Sequence, residues 1–190
     1  MKIIGLCGTN GAGKGTVGEM LVERHGFLFV SVSDLLREEA RRRGLPVERE
    51  VLRTISAEWR REFGLGVLVD KAKEAFDRAG DKYKGLVVDP MRNPGEAQHL
   101  KDLGGVLVWV DADPRVRYGR IFSRKRSKED DKTFEQFMAE EQAEMTTQGD
   151  AATLNMSAVK GKADIFLENN SDDLEAFKSQ AEQQLALLLN

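Results

Sequence analysis

The sequence predicts an α/β fold, a parallel sheet with helices on both faces, and three observations carry that expectation. Short apolar runs of strand type alternate with longer segments of helical periodicity along the whole of the 190 residues. The first such pair is joined by a glycine-rich stretch at 8–16, G-T-N-G-A-G-K-G-T. Polar and charged residues then collect just after the apolar runs, where an open parallel sheet gathers its ligands.

Each element has its own signal. M-K-I-I-G-L-C opens as a strand, and the helix after the glycines places Val17, Met20, Leu21 and Arg24 at helical spacing. Gly26 stops that helix, and 27–32 is a second strand. Ser33 is expected to N-cap a helix that Gly44 ends, and Pro46 to open another carrying Val51, Leu52, Ile55, Trp59 and Phe63. Gly64 and Gly66 break it before a further helix over 67–79. G-L-V-V-D at 85–89 is a buried strand, and a brief helix after P-M-R-N-P-G runs to Leu103. The fourth strand is expected over 105–110, a helix from Pro114 to about Arg124, and another over 133–148. The fifth strand is 163–168, and Ser171 is expected to cap a last amphipathic helix through Leu174, Phe177, Ala181, Leu185 and Leu188.

Composition bounds the function. With 41% hydrophobic and 32% charged residues the chain can bury one good core, so a single domain is expected. No apolar run approaches the roughly 18 to 20 residues of a membrane span, and the first residues lack the shape of a signal peptide. The sole cysteine, Cys7, cannot form an internal disulfide and reads as a small buried side chain. A net charge of -3 argues against a general nucleic-acid binder. A cytoplasmic protein with a small-molecule partner is expected, with monomer and dimer both open.

The chemistry of the glycine-rich stretch follows from its residues. Gly8, Gly11 and Gly13 admit backbone dihedrals closed to other residues and let the chain, with Asn10 and Ala12, turn its N–H groups toward a phosphate chain. The next helix adds its unpaired amides and the positive end of its dipole, and Lys14 adds a cation for the outer phosphates. Gly8, Gly13 and Lys14 have the spacing of the Walker A pattern, except that Gly15 stands where Ser or Thr is usual and Thr16 follows. The plain alternative is a glycine turn with a solvated lysine.

Three further places follow strands. Asp34 and Arg37, three apart on one helix turn, can face one cleft, Arg37 to hold a phosphate and Asp34 to take a proton or orient a substrate. They can equally be a dipole-favoured Asp and a solvated Arg. Asp89, ending its apolar run, suits a metal, and Arg92, between two prolines, suits an acceptor phosphate; Asp89 can also merely cap a turn. Between Arg115 and Lys132 there are eight Lys or Arg against three acids, in which Arg120 and Arg124 share a helix face with Arg126 just beyond. Such a run suits a cationic lid over a transferring phosphoryl group, or else is a solvated face. His25 and His99 fall in no motif.

G-T-N-G-A-G-K-G-T, S-D-L-L-R, V-V-D-P-M-R and R-Y-G-R-I-F-S-R-K-R, in that order, resemble the nucleoside monophosphate kinase group of P-loop kinases, as in adenylate kinase. The layout is also similar to kinase-like proteins of archaea and bacteria grouped with dephospho-CoA kinase. The resemblance implies a P-loop NTPase three-layer sandwich with a five-stranded parallel sheet in the order 2-3-1-4-5. It implies a core over 1–33, 81–115 and 133–190, a substrate-binding helical insert at about 34–80 and a lid at about 120–132. It further implies ATP and Mg²⁺ as cofactors. Lys14, Gly8, Asn10, Gly11, Ala12, Gly13, Gly15, Thr16 and Arg120 would be at the nucleotide, Thr16 and Asp89 at the metal. Arg37 and Arg92 would be on the acceptor phosphate, and Arg120 and Arg124 on the transferring group. Relatives place the nucleotide base near the position of Asn169 and Asn170, which turn chemistry also explains. The expected activity is transfer from ATP to a nucleoside or deoxynucleoside monophosphate. The alternatives are a hydroxyl kinase acting on dephospho-CoA or another metabolite with Asp34 as base, and a non-enzymatic nucleotide-binding module. G-K-A-D at 161–164 lacks the amide or hydroxyl residue of a guanine motif, which counts against a switch.

Overall fold

The computed structural model describes residues 1–124, 132–146 and 149–189. Its sheet has the order β2-β3-β1-β4-β5 with every neighbouring pair parallel. The strands are β1 (Lys2–Gly8), β2 (Phe27–Ser31), β3 (Gly85–Asp89), β4 (Val106–Asp111) and β5 (Ile165–Glu168). This is the order expected, and it puts β1 at the centre with β3 and β4 on either side.

The two-residue period of β1 divides the core. Ile4 and Leu6 join Val17, Met20 and Leu21 of α1 (Lys14–His25) and Phe177, Ala181 and Leu185 of α9 (Leu174–Leu189). Ile3 and Cys7 face the other way, into a cluster built by α2 (Val32–Arg42), α3 (Arg49–Phe63), α4 (Val67–Ala79), α5 (Pro94–Asp102) and the one-turn α8 (Met156–Lys160). Two helices, α6 (Pro114–Arg124) and α7 (Phe134–Met145), pack against each other beside the carboxyl ends of β1 and β4. There the Tyr118 ring lies 5.5 Å from that of Phe134 and 5.8 Å from that of Phe137.

Buried polar side chains tie the helices of this core together. The Arg60 and Glu96 side chains, 3% and 1% exposed, meet at 2.7 Å and tie α3 to α5, and breaking such a pair costs about 3–5 kcal/mol. Asn93 is fully buried. Its Oδ1 accepts from the amides of Gly95 and Glu96 at the start of α5, and its Nδ2 donates to the carbonyls of Ala151 and Thr153.

Helix starts differ from the sequence expectation for local reasons. The cap of α2 is Ser31, whose hydroxyl accepts from Asp34 N at 3.1 Å, rather than Ser33; Ser31 to Asp34 is the capping spacing. Pro46 does not open α3: Leu45 N closes back on Ala40 O at 2.9 Å, and the helix begins only at Arg49, after an extended Glu48. Asp173 rather than Ser171 starts α9, its Oδ1 accepting from Ala176 N, while the Ser171 hydroxyl accepts from Asp173 N. The helix expected to reach 148 ends at Met145. α8 went unforeseen, being five residues long, too short to show a period; Asn155 caps it through Ala158 N.

Cys7 is fully buried beside the glycine-rich turn, and its Sγ donates to Val108 O at 3.3 Å. Burial pushes the thiol pKa up to about 12, more than the nearby Lys14 cation pulls it down. Reagents attack the thiolate, so at pH 8 Cys7 should react with a disulfide reagent roughly a thousandfold more slowly in the folded protein than in guanidinium. Equal rates would contradict this placement of β1.

Candidate functional site

The turn after β1 is held open by glycine at two places. Gly8 has φ 123°, and a Cβ there would sit 1.9 Å from the carbonyl oxygen of its register partner Val110. Gly13 has φ 107°, and its Cβ would meet Asn169 Nδ2 at 2.4 Å. Between them the chain closes through Ala12 N to Thr9 O. α1 then opens at Lys14 with no side-chain cap and no acid in its first turn, so its orphan amides and dipole remain available to an anion.

Neighbouring elements fix the turn from outside. Thr9 Oγ1 donates to Asp111 Oδ1 at 2.7 Å, and Asp111 also accepts from Trp109 Nε1 and Ala112 N. Asp111 is partly desolvated, yet those hydrogen bonds and Arg117 hold its carboxyl below the usual range. Asn169 Nδ2 donates to Ala12 O at 2.9 Å. The Arg117 guanidinium, almost fully buried, donates to Ala112 O and Asn10 O and pairs with both carboxylate oxygens of Glu141 on α7. Asp111, Arg117 and Asn169 are therefore supports for the turn. Of these, the sequence singles out Asn169, at the position where relatives place the base, while Arg117 opens the R-Y-G-R segment with no role of its own and Asp111 falls in no motif.

A cleft of about 1030 Å³ opens over this turn, lined among others by Lys14, Thr16, Asp89, Arg92, Arg115 and Arg120. Lys14 is folded back, its Nζ donating to Gly8 O at 3.0 Å and Thr9 O at 2.8 Å. Desolvation lowers its pKa, opposed by the Asp89 charge. Asp89 ends β3 with Oδ1 buried and unpartnered among the described residues, and burial raises its pKa against the pull of Lys14 and Arg92. A carboxylate oxygen left so is costly unless a cation meets it. No group of three or more His, Cys, Asp or Glu gathers among the described residues. The donor set therefore fits Mg²⁺ held by Asp89, the Thr16 hydroxyl, phosphate oxygens and water, because Mg²⁺ keeps its waters and needs few protein ligands. Gly15 also lines the cleft, and a Cβ there would touch nothing within 4 Å, so space does not explain the missing hydroxyl at that position.

The remaining candidates are placed as follows. Arg92 Nη1 pairs with Glu144 Oε2 at 2.8 Å. Arg120 is turned to the loop after β5, donating to Asn169 O at 2.9 Å and Ser171 O at 2.6 Å. The Asn169 amide is committed to Ala12 O of the glycine turn, and Asn170 Oδ1 accepts from Asp113 N. Asp34 and Arg37 do not line the cleft; they pair with each other at 2.7 Å on the surface of α2. Partial desolvation of Asp34 is outweighed by the Arg37 and Ser31 hydrogen bonds, which leave its pKa lowered. His25 and His99 pair with Glu182 and Asp70, away from the cleft. The Arg124 side chain and Arg126 lie outside the described residues.

The steric difference between Gly8 and Gly15 gives a direct check. Gly8→Ala should lower Tm by roughly 10 °C, since neither the dihedral nor the Val110 carbonyl can yield cheaply. Gly15→Ala should leave Tm within about 2 °C, a helix position with open space beside it. Equal melting of both variants by differential scanning calorimetry would contradict this geometry.

Comparison with known proteins places the chain. A family model described as an AAA domain matches residues 4–146. A UPF0200 protein of Pyrococcus abyssi is 31% identical over 184 residues, which is 95% of this chain and 93% of that protein. A UPF0200 protein of Hyperthermus butylicus is 32% identical over 187 residues, 98% of this chain and 94% of that protein. Among solved structures, shikimate kinase from Bacteroides thetaiotaomicron superposes with a TM-score of 0.60 at 13% identity, covering 98% of both chains. Shikimate kinase from Acinetobacter baumannii in complex with shikimate gives 0.57 at 18% identity, covering 99% of this chain and 92% of the other. At those identities the likeness is one of architecture, that of the P-loop kinases. By the matched model and the full-length relatives, the chain belongs to the AAA domain family and to the UPF0200 family.

Proposed function

We propose that the protein is an ATP- and Mg²⁺-dependent phosphotransferase that moves the γ-phosphoryl group of ATP to a nucleoside or deoxynucleoside monophosphate. The observation that carries this reading is one cleft lined by Lys14 on the glycine turn, by Asp89, whose Oδ1 has no partner among the described residues, and by the guanidinium-bearing Arg92. The turn amides and Lys14 take the donor phosphates, Lys14 exchanging its bonds to Gly8 O and Thr9 O for phosphate oxygens. Asp89 and Thr16 would hold Mg²⁺, which when bound would neutralise charge on the phosphate oxygens. Arg120 and Arg124 serve the transferring group and Arg92 the acceptor phosphate, with residues 34–80 as the acceptor-side insert and 120–132 as the lid.

The bond changes are few. An acceptor phosphate oxygen forms the new bond to the γ-phosphorus as the bond to the β–γ bridging oxygen breaks, and ADP leaves with that electron pair. A phosphate with a second pKa near 6 is already largely ionised at pH 7, so the step needs no general base. That suits this chain, whose proposed base Asp34 is ion-paired outside the cleft. Arg37 is committed to the same pair, which leaves the acceptor to Arg92.

A second reading has one observation in its favour. A hydroxyl acceptor, as on dephospho-CoA or another small anionic metabolite, needs a proton acceptor in the cleft, and Asp89 has a raised pKa there. Shikimate kinases, to which the fold is similar, superpose along nearly the whole chain, and one of them was solved in complex with shikimate. A cytoplasmic location fits an ATP-dependent enzyme, and no helix among the described residues is long and apolar enough to cross a membrane.

ADP release, measured by a coupled assay over ribo- and deoxynucleoside monophosphates, dephospho-CoA and shikimate, decides between the readings. Monophosphate-dependent turnover is expected, and turnover with a hydroxyl acceptor alone would replace the first reading with the second. Lys14→Ala should lower kcat about 100-fold or more while Tm stays near the parent value. Arg92→Ala should raise the acceptor KM about 10- to 100-fold with the KM for ATP unchanged, and an unchanged acceptor KM would remove Arg92 from the site.

A further inference from the structure

Glu144 of α7 is surrounded by arginines from elsewhere in the chain. Its Oε2 accepts from Arg92 Nη1 at 2.8 Å and its Oε1 from Arg53 Nη2 on α3. The side chain is 17% exposed. Desolvation raises its pKa, but Arg92, Arg53 and Arg49 together hold the carboxyl below its usual range. One turn earlier on the same helix, Glu140 pairs with Arg49 Nη1 at 3.0 Å. Arg53 keeps a further donor, Nε, buried with no hydrogen-bond partner among the described residues.

The space around Glu144 is divided by its own side chain. On one side lies a narrow void of about 30 Å³ against Gly8, Thr9 and Arg92. On the other lies a cavity of about 330 Å³ against Arg53, Arg60 and Thr153. Glu144 is the residue that lines both. A carboxylate in this position satisfies guanidinium groups that would otherwise repel one another, and it fills the gap between the cavity and the start of the phosphate turn.

We propose that Arg49, Arg53 and Arg92 form an anion site for a phosphate-bearing acceptor, and that Glu144 occupies it until the acceptor arrives. This rests on the phosphotransfer reading for the word acceptor, and it goes beyond that reading by adding Arg49 and Arg53 and an internal competitor. A phosphate dianion has the advantage in the exchange, bringing twice the charge and three acceptor oxygens, one of which can take the spare Arg53 Nε donor. Leaving the site frees Glu144 and with it α7, whose Glu141 grips the Arg117 that touches Asn10 O in the turn. Acceptor binding and the setting of the nucleotide turn then share one helix.

The test is calorimetric titration of inorganic phosphate into the full chain with MgADP saturating, so that the nucleotide turn is already filled. Glu144→Gln should bind phosphate about tenfold more tightly than the parent, because the competitor has lost its charge, and adding Arg53→Ala should abolish the gain. Phosphate should also raise the Tm of Glu144→Gln more than that of the parent. If Glu144→Gln does not fold, Glu144→Asp keeps the charge but shortens the reach, and should still tighten binding about threefold. Unchanged phosphate affinity in the folded variant would overturn the proposal. Binding of a fluorescent ADP is read separately. If ADP fails to bind the parent, the phosphotransfer reading falls. The arginine site is then scored by the same titration without nucleotide, in Lys14→Ala and in that variant combined with Glu144→Gln.

Discussion

The end of β1 has no room for a side chain, and that steric constraint governs what surrounds it. Gly8 lies so close to the Val110 carbonyl that β1 and β4 approach through backbone alone. The chain can leave the sheet there only by the left-handed dihedrals of Gly8, Gly11 and Gly13. Once it does, the next backbone amides belong to the first turn of α1, and Lys14 falls at the mouth of the turn. Thr9 and Asp111 then bolt the exit of β1 to the exit of β4, and Asn169 does the same from the exit of β5. The shape of the turn is thus supported by strands far apart in sequence.

Charge in the cleft is arranged rather than merely abundant. Lys14 rests on its own turn's carbonyls, Arg120 on the loop after β5 and Arg92 on Glu144. Each cation is held in a defined place by an internal acceptor, so a polyanion entering the cleft would meet positioned donors instead of long side chains that must first be ordered. Asp89 is the complement. Its buried carboxylate oxygen lacks a donor among the described residues, and burial raises its pKa against the pull of Lys14 and Arg92. A divalent cation with few protein ligands suits that position.

The acids and bases of the helical side follow the same logic at a distance. Arg60 and Glu96 lock α3 to α5 within the core, and Asn93 ties the turn after β3 to the segment before α8. These bonds fix the base of α3, from which Arg49 and Arg53 reach α7. The family model matches residues 4–146 and the relatives nearly the whole chain, while the solved structures share its layers at low identity.

Much was legible in the sequence because it is local. Strand and helix periods, the Gly8, Gly13 and Lys14 spacing, Asp89 at the end of an apolar run and Gly26 as a helix stop all act within a few residues. They determined the α/β class and the glycine turn, and the motif resemblance added the strand order. What the tertiary structure alone decided is which charges meet. Asp34 and Arg37 stand at a spacing that allows them to face a cleft or each other, and the packing of α2 settled it for the latter. Arg53, Arg92 and Glu144 lie on three separate segments, and no period along the chain encodes their convergence. Pairing across the fold depends on distances that only the closed sheet and its helices set.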